Sequence, residues 1–414
     1  MSIYIFVAFF VKYFILNHFD IASADLSTNS LLSKQVGLAT LFPTNNNGLK
    51  LNPSVEQLCD MTTDQLIKYY GYEVDSYNVT TEDGYILTIF RCYSSKFPMD
   101  ELEPIILQHG MISTSDVFCM NPGVQSLAYF FASKKYIVYM PNSRGNRYSR
   151  THQTLDPNQN PGKFWNFSWT EMGVFDLPAV IDSVIEKSKR SQIPCIGHSQ
   201  GATMFLVLLS MRPEYNSKIK HVGLMAPFSY VSNTGFPLNM ILKFFQTIVP
   251  YTDWEFWPNT VQQRILAKAM CQMNNGLFCN QFINMFHGTS IDQRNDTMLP
   301  VYLCHYPSSC SANQLIHFGQ EMELNYFGPM MHSIGSKTPK EFPIDKVTAP
   351  ISIHYSTADP HTHSLDIKKL QLNLPNVVDV QEIKGFNHLD FLWGIHTHEI
   401  VYSRIYQLLK NHTT

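Results

Sequence analysis

A chain of 414 residues is long enough to bury a substantial core as one large domain or two ordinary ones. Its 33 acidic and 30 basic side chains nearly cancel, to -3, and no basic block or Lys/Arg stripe interrupts them, which argues against a nucleic-acid partner. Charged residues make up only 15% of the chain against about 25% in a typical soluble domain, while 28 Phe and 21 Tyr add aromatic surface. That balance suits a globular protein that meets lipid, and equally an aromatic soluble enzyme.

The chain opens on an apolar run, Ile3 to Val11, interrupted by Lys12 and resumed from Tyr13 to Leu16. Ala22-Ser23-Ala24 follows with the small-x-small pattern of a signal-peptidase site, so residues 1–24 are expected to be a signal peptide and the mature chain to begin near Asp25. The run is shorter than the ~20 residues of a membrane-spanning helix, and no later run is long enough, so no transmembrane segment is expected after cleavage. Residues 25–50, rich in Ser, Thr and Asn, read as a loose leader.

From residue 51, short β-branched and aromatic runs alternate with helical stretches. Tyr85–Arg91, Pro104–Gln108, Tyr136–Met140, Ile193–Ile196, His221–Met225, Ile351–Tyr355 and Val377–Ile383 predict strands. Gln125–Ser133, Asp176–Lys187 and Ala202–Met211 predict helices between them. This alternation implies an α/β fold with a mostly parallel central sheet covered by helices on both faces. The uninterrupted apolar runs at 104–108 and 193–196 suit buried central strands. Between about Phe228 and Lys340 the rhythm breaks into a Phe-, Met-, Trp- and Asn-rich stretch, with helices expected at Met240–Val249 and Val261–Met270. The expected organisation is therefore a core in two parts, 51–227 and 341–414, with 228–340 inserted as a mainly helical cap.

Eight cysteines agree with an oxidising compartment. Cys271 and Cys279 lie close together, as do Cys304 and Cys310, and each pair is spaced to close a short loop. Asn78, Asn166, Asn295 and Asn411 stand in glycosylation sequons; Asn166, set among Phe164, Trp165, Phe167 and Trp169, is expected to be buried.

The strongest chemical signal is Gly197-His198-Ser199-Gln200-Gly201, between a strand and a helix. A G-x-S-x-G turn in that context is a nucleophile elbow: it needs small residues two before and two after Ser, and it lifts the hydroxyl to a helix N-terminus that favours negative charge. A serine hydroxyl is inert unless a base takes its proton and a carboxylate orients that base. In this topology the order is Ser, acid, His. Asp359 follows the strand ending at Tyr355, and His388 follows the one ending at Ile383. Asp366 is the rival acid. His361 and His363 flank Thr362 and suggest a metal-ligand pair, but no partner motif supports one, so both read as solvated loop histidines and no metal is expected. Oxyanion donors are expected from the Gln200 N–H and, in the His109-Gly110-Met111 loop, from the Met111 N–H.

These residues sit in a wider set of motifs: Thr81-Glu82-Asp83-Gly84-Tyr85-Ile86-Leu87, Leu107-Gln108-His109-Gly110, Asn142-Ser143-Arg144-Gly145-Asn146 and Phe164-Trp165-Asn166-Phe167-Ser168. Glu171-Met172, Asp176-Leu177-Pro178-Ala179, the elbow with Gln after Ser, and Asn387-His388-Leu389-Asp390-Phe391 complete it. Over roughly residues 51–410 the chain resembles the acid lipase family of the α/β hydrolases, which includes gastric and lysosomal acid lipases. The resemblance implies the α/β-hydrolase fold, a mobile lid within the cap, hydrolysis of triacylglycerols or sterol esters, and no cofactor. It places the family's nucleophile, acid and base on Ser199, Asp359 and His388, the latter two at the family's separation of 29 residues, and its oxyanion donors on Met111 and Gln200. It also makes a Cys271–Cys279 bridge plausible. The chain departs from the pattern after the acid, where Pro360 stands in place of a large apolar residue and His361 and His363 follow, and in the cap, which is only loosely similar.

The expected function is thus a secreted or lysosomal lipase acting at a lipid–water interface. A carboxylesterase for small soluble esters is the first alternative, and a catalytically silent lipid-binding relative the second.

Overall fold

The computed structural model describes residues 53–248, 253–258, 260–272, 276–331 and 338–411. The expected signal peptide and leader, and the Asn411 side chain, lie outside these. The strands are β1 (Glu73–Thr80), β2 (Ile86–Tyr93), β3 (Glu103–Gln108), β4 (Tyr136–Pro141), β5 (Ile193–His198), β6 (Ile219–Met225), β7 (Glu255–Phe256), β8 (Cys310–Ser311), β9 (Ile351–Ser356) and β10 (Val377–Ile383). Eight form one sheet in the order β1-β2-β4-β3-β5-β6-β9-β10. The two junctions that involve β2 are antiparallel and the remaining five are parallel.

Strand alternation distributes the core over both faces of this sheet. Ile106, Ile137, Tyr139, Cys195, Val222 and Leu224 point into one apolar cluster, with Trp165, Trp169 and Phe205. Their neighbours Ile105, Leu107, Val138, Met140, Ile196 and Met225 point into the other, with Phe131, Trp393 and Tyr402. A strand buried on both faces reads as a near-continuous apolar run, and every residue of β5 is buried. Helices Leu177–Ser188 and Gln200–Met211 cover the first face. Leu127–Ala132 and Ser403–Asn411 contribute to the second.

Between β6 and β9 the chain leaves the sheet for helices Leu238–Ile248, Val261–Gln272, Leu277–His287, Leu299–His305 and Ala312–Leu324, plus the short antiparallel β7–β8 ladder. Cys271 and Cys279 are joined by a disulfide. Cys304 and Cys310 are not joined: Cys310 belongs to the first apolar cluster and Cys304 to the second, where its thiol meets that of Cys59. Asn78 and Asn166 are exposed and Asn295 is half-buried. Asn166 is thus not buried as expected: its aromatic neighbours turn inward and leave its side chain outside.

Two buried ionic networks hold loops at the C-terminal edge of the sheet. Arg144, 1% exposed, donates to Asp83 at 2.5 and 2.9 Å and to Asp176 at 2.7 Å. Asp116 accepts from Thr63 Oγ1 and Arg147 Nη2, both at 2.5 Å, from Tyr148 at 2.8 Å, and faces His305 Nδ1 at 3.0 Å. His305 Nε2 reaches the Leu58 carbonyl at 2.9 Å. Asp116 thereby joins the helix Thr63–Tyr69, the loop after β3 and the cap helix Leu299–His305.

Candidate active site

In an open parallel sheet the C-terminal strand ends form the reactive edge, and β5 lies at its centre. Ser199 follows β5 directly with φ 54° and ψ -123°, a strained conformation for a residue with a side chain, of order 1–3 kcal/mol. Its amide donates to the Met225 carbonyl at 2.9 Å, and its carbonyl accepts from Ala202 and Thr203 as the next helix starts. The elbow glycines have no room for a methyl. A Cβ on Gly197 would lie 2.7 Å from backbone atoms of Gly201 and Ala202, and one on Gly201 would strike the carbonyls of Gln108 and His109.

The geometry brings Ser199, His388 and Asp359 into one hydrogen-bonded line. His388 Nε2 is 2.9 Å from Ser199 Oγ, and His388 Nδ1 is 2.7 Å from Asp359 Oδ2. All three are nearly buried, at 8%, 3% and 4% exposure. A carboxylate only accepts, so His388 Nδ1 carries the hydrogen and Nε2 is left to receive the serine proton. Asp359 is itself held, by the His361 N–H on Oδ1 and the Thr362 hydroxyl on Oδ2, both at 2.8 Å. Burial pulls the Asp359 carboxyl up, against these donors. Burial also pushes His388 down to about 3, which keeps the resting imidazole neutral. The rival Asp366 is elsewhere: it accepts from the Asn233 backbone and side-chain nitrogens at 2.9 and 2.8 Å.

The loop after β3 abuts the serine. A Cβ on Gly110 would lie 3.0 Å from Ser199 Cβ and 3.2 Å from the His198 carbonyl. His109 sets this loop's orientation. Its Nε2 accepts from the Ser143 N–H at 3.1 Å, so the hydrogen sits on Nδ1, which donates to the Gly110 carbonyl at 2.8 Å. Burial pushes His109 down to about 4 and preserves that neutral form. In a trans peptide the N–H points opposite to the C=O, so pinning the Gly110 carbonyl aims the Met111 N–H the other way. The Ser308 N–H holds the adjacent Ile112 carbonyl at 2.7 Å, which ties the cap to the loop. Gln200 opens its helix, where an N–H has no preceding carbonyl to bind. The loop at Gly110 and the start of the Gln200 helix, two separate segments, thus meet at the serine.

Three further histidines crowd His388. His198 Nε2 points to the His388 carbonyl at 3.0 Å, and the His388 N–H meets the His287 carbonyl at 3.0 Å. His361 is buried, with its ring centroid 4.0 Å from that of His388, and so is not the solvated loop residue expected. The correction follows from its Nε2, which is anchored at 2.7 Å on the Phe286 carbonyl in the cap and draws the side chain inward. His363 is exposed, and its Nδ1 accepts from the Leu365 N–H at the start of helix Ser364–Asn373. Among the described residues, Asp359, His361 and His388 are grouped as a metal would need, with ligand atoms within 4.8 Å. The Asp359 oxygens, however, are already engaged by three protein donors.

Residues 63–122 match the partial α/β-hydrolase lipase region, and residues 103–255 match the α/β hydrolase fold. Lipase 1 of Drosophila melanogaster is 36% identical, covering 86% of this chain and 81% of its own length. Gastric triacylglycerol lipase of Mus musculus is 32% identical, with 93% and 98% covered. Lipase member K of Homo sapiens is 31% identical, with 91% and 96% covered. Among solved structures, a carboxylesterase from Bacillus subtilis superposes with a TM-score of 0.50 at 13% identity, over 86% of this chain and 98% of its own, a likeness of fold alone.

Proposed function

The chain belongs to the α/β-hydrolase lipases, and from that premise we propose that it hydrolyses fatty-acid esters, triacylglycerols or sterol esters, through a serine acyl-enzyme. As a member it is a serine ester hydrolase. Ser199 Oγ attacks the ester carbonyl while His388 Nε2 takes its proton, with Asp359 holding the imidazole and balancing its charge. The Met111 and Gln200 N–H groups receive the oxyanion, where one such donor is worth about 10²–10³ in kcat. His388 returns the proton to the departing alcohol. It then activates water against the acyl-enzyme, releasing the fatty acid and restoring Ser199.

The observation that carries this reading is the line from Ser199 Oγ through His388 to Asp359, at 2.9 and 2.7 Å. A lipid substrate is supported by the aromatic segment between β6 and β9, which we assign as a cap at 228–340. It contributes Phe228, Phe245, Phe256, Phe318 and Phe327 to the apolar cluster on the first face of the sheet. The disulfide, the exposed sequons and the N-terminal apolar run support a secreted or lysosomal location. The test is an organophosphate label followed by peptide mapping, then turnover of triolein, cholesteryl oleate, phospholipid and short-chain esters. Labelling at Ser199 with a rise in rate above the substrate's solubility limit is expected. Exclusive turnover of soluble acetates would instead make the protein a carboxylesterase, and absence of the label would remove the mechanism.

A further inference from the structure

The loop after β9 carries the chain's departure from the family pattern, Pro360-His361, and it delivers an imidazole onto His388. The His361 ring lies over the His388 ring with centroids 4.0 Å apart and planes 15° from parallel. Its Nε2 faces the Phe286 carbonyl at 2.7 Å, and a carbonyl can only accept, so that nitrogen carries the hydrogen. Burial pushes the imidazole down to about 3, so Nδ1 stays bare and the ring uncharged. The backbone N–H of the same residue holds Asp359 Oδ1.

The other groups against His388 do not substitute for this ring. Asp359 meets the imidazole edge and Ser199 its far nitrogen. His198, at the end of β5, lies tilted by 47° with its centroid 4.9 Å away. His287, from the cap helix Leu277–His287, is 6.2 Å away and lies closer to His361, at 5.1 Å. Burial lowers the pKa of both, so neither adds charge. When His388 accepts the serine proton it becomes an imidazolium stacked on a neutral aromatic face, an arrangement that attracts a cation.

We propose that His361 is a positioning residue for the hydrolysis, its uncharged ring fixing the plane of His388 and stabilising the protonated state through which both half-reactions pass. This rests on the reading of Ser199, His388 and Asp359 as the reacting line. The test compares H361L, which removes the aromatic face, with H361F, which keeps it, on a soluble chromogenic ester. H361L is expected to lose about tenfold in kcat with KM little changed, and H361F to stay within about threefold.

The second readout is the pKa of His388 in the organophosphate adduct, followed by proton NMR of its downfield Nδ1–H. It is expected to fall by about one unit in H361L, the same tenfold expressed as a proton equilibrium, and to hold in H361F. Should H361L fail to fold, H361Q offers the same comparison without a ring. A slower H361L whose adduct keeps the wild-type His388 pKa would reduce the residue to packing and overturn the proposal, as would an H361F as impaired as H361L. Failure of the reagent to label wild-type Ser199 would remove the underlying site instead.

Discussion

Gly110→Ala tests whether the loop after β3 supplies an oxyanion donor. The added methyl would stand 3.0 Å from Ser199 Cβ, 3.2 Å from the His198 carbonyl and 3.4 Å from His198 Nδ1. Carbon atoms rest about 3.5–4.0 Å apart, so the loop must retreat by roughly 0.5–1 Å. Neither neighbour yields easily: Ser199 is fixed by its elbow, and His198 is held on the His388 carbonyl. An oxyanion donor works at about 2.7–3.1 Å, and a retreat of that size takes the Met111 N–H out of range. The expected result is a fall of about 10²-fold in kcat, equivalent to about 2.7 kcal/mol of transition-state stabilisation, with KM for a soluble ester little altered. Stability should drop by only about 1–3 kcal/mol, the ordinary cost of overpacking. Steady-state kinetics paired with thermal unfolding separates the two effects. A folded Gly110→Ala enzyme that keeps kcat within threefold of wild type would refute the assignment of Met111.

Asp359→Asn should lower kcat by about 10⁴-fold, since an amide in place of the carboxylate favours the wrong imidazole tautomer, while Asp366→Asn should remain within about threefold because its partner is Asn233. Ester hydrolysis by the two purified variants decides the acid. A pH profile gives a second check. His388 is depressed from 6.5 to about 3, so the unprotonated base persists as pH falls through 6.5, and kcat/KM should stay level there and decline only at much lower pH. An acid limb centred at 6.5 would contradict it. Stability should run the other way. His109, His198, His361 and His388 gain protons near 6.5 when unfolded but resist them when folded, so their contribution is full above 6.5 and diminishes as pH falls below it. Melting temperatures across that interval report it. Arg144→Met, which strands the buried Asp176 carboxylate, should cost about 3–5 kcal/mol in urea unfolding, and a loss under 1 kcal/mol would contradict that.

The parts of the fold that could be read from sequence are those where burial is two-sided. β3 and β5 carry uninterrupted apolar runs, at 104–107 and 193–196, and stand out for it, whereas β9 is fully buried yet alternates Ile351, Ile353 and Tyr355 with Ser352, His354 and Ser356. β1 escapes the sequence reading, because an edge strand with a half-solvated face alternates charged and polar residues, Glu73, Asp75, Ser76 and Asn78, and shows no apolar run. The helix Ala312–Leu324 escapes for the opposite reason: residues 312–321 are buried on every side, Asn313, Gln314, Gln320 and Glu321 included, so no apolar stripe stands out. At the site, Ser199 is legible because an elbow imposes a local spacing rule. His361 is not, since its burial depends on the Phe286 carbonyl, 75 residues away in sequence. The one available hint was its place two residues after the expected acid. His109 is legible only as a member of the loop expected to supply an oxyanion donor, and its ring proves to hold the carbonyl of the peptide that follows it.

The carboxylate of Asp116 has a consequence for how this enzyme varies. It binds at once to a threonine near residue 60, an arginine just past β4 and a histidine beyond residue 300, while the other ring nitrogen of that histidine meets the Leu58 carbonyl near the end of helix Pro53–Asp60. The roof therefore cannot be traded as a module. A chimera that imports a foreign segment for 228–340 would bring a new residue to position 305, taking one partner from Asp116 and the bond that holds the Leu58 carbonyl. Transplants that keep a histidine at 305 should fold best, because that one side chain meets both Asp116 and the Leu58 carbonyl.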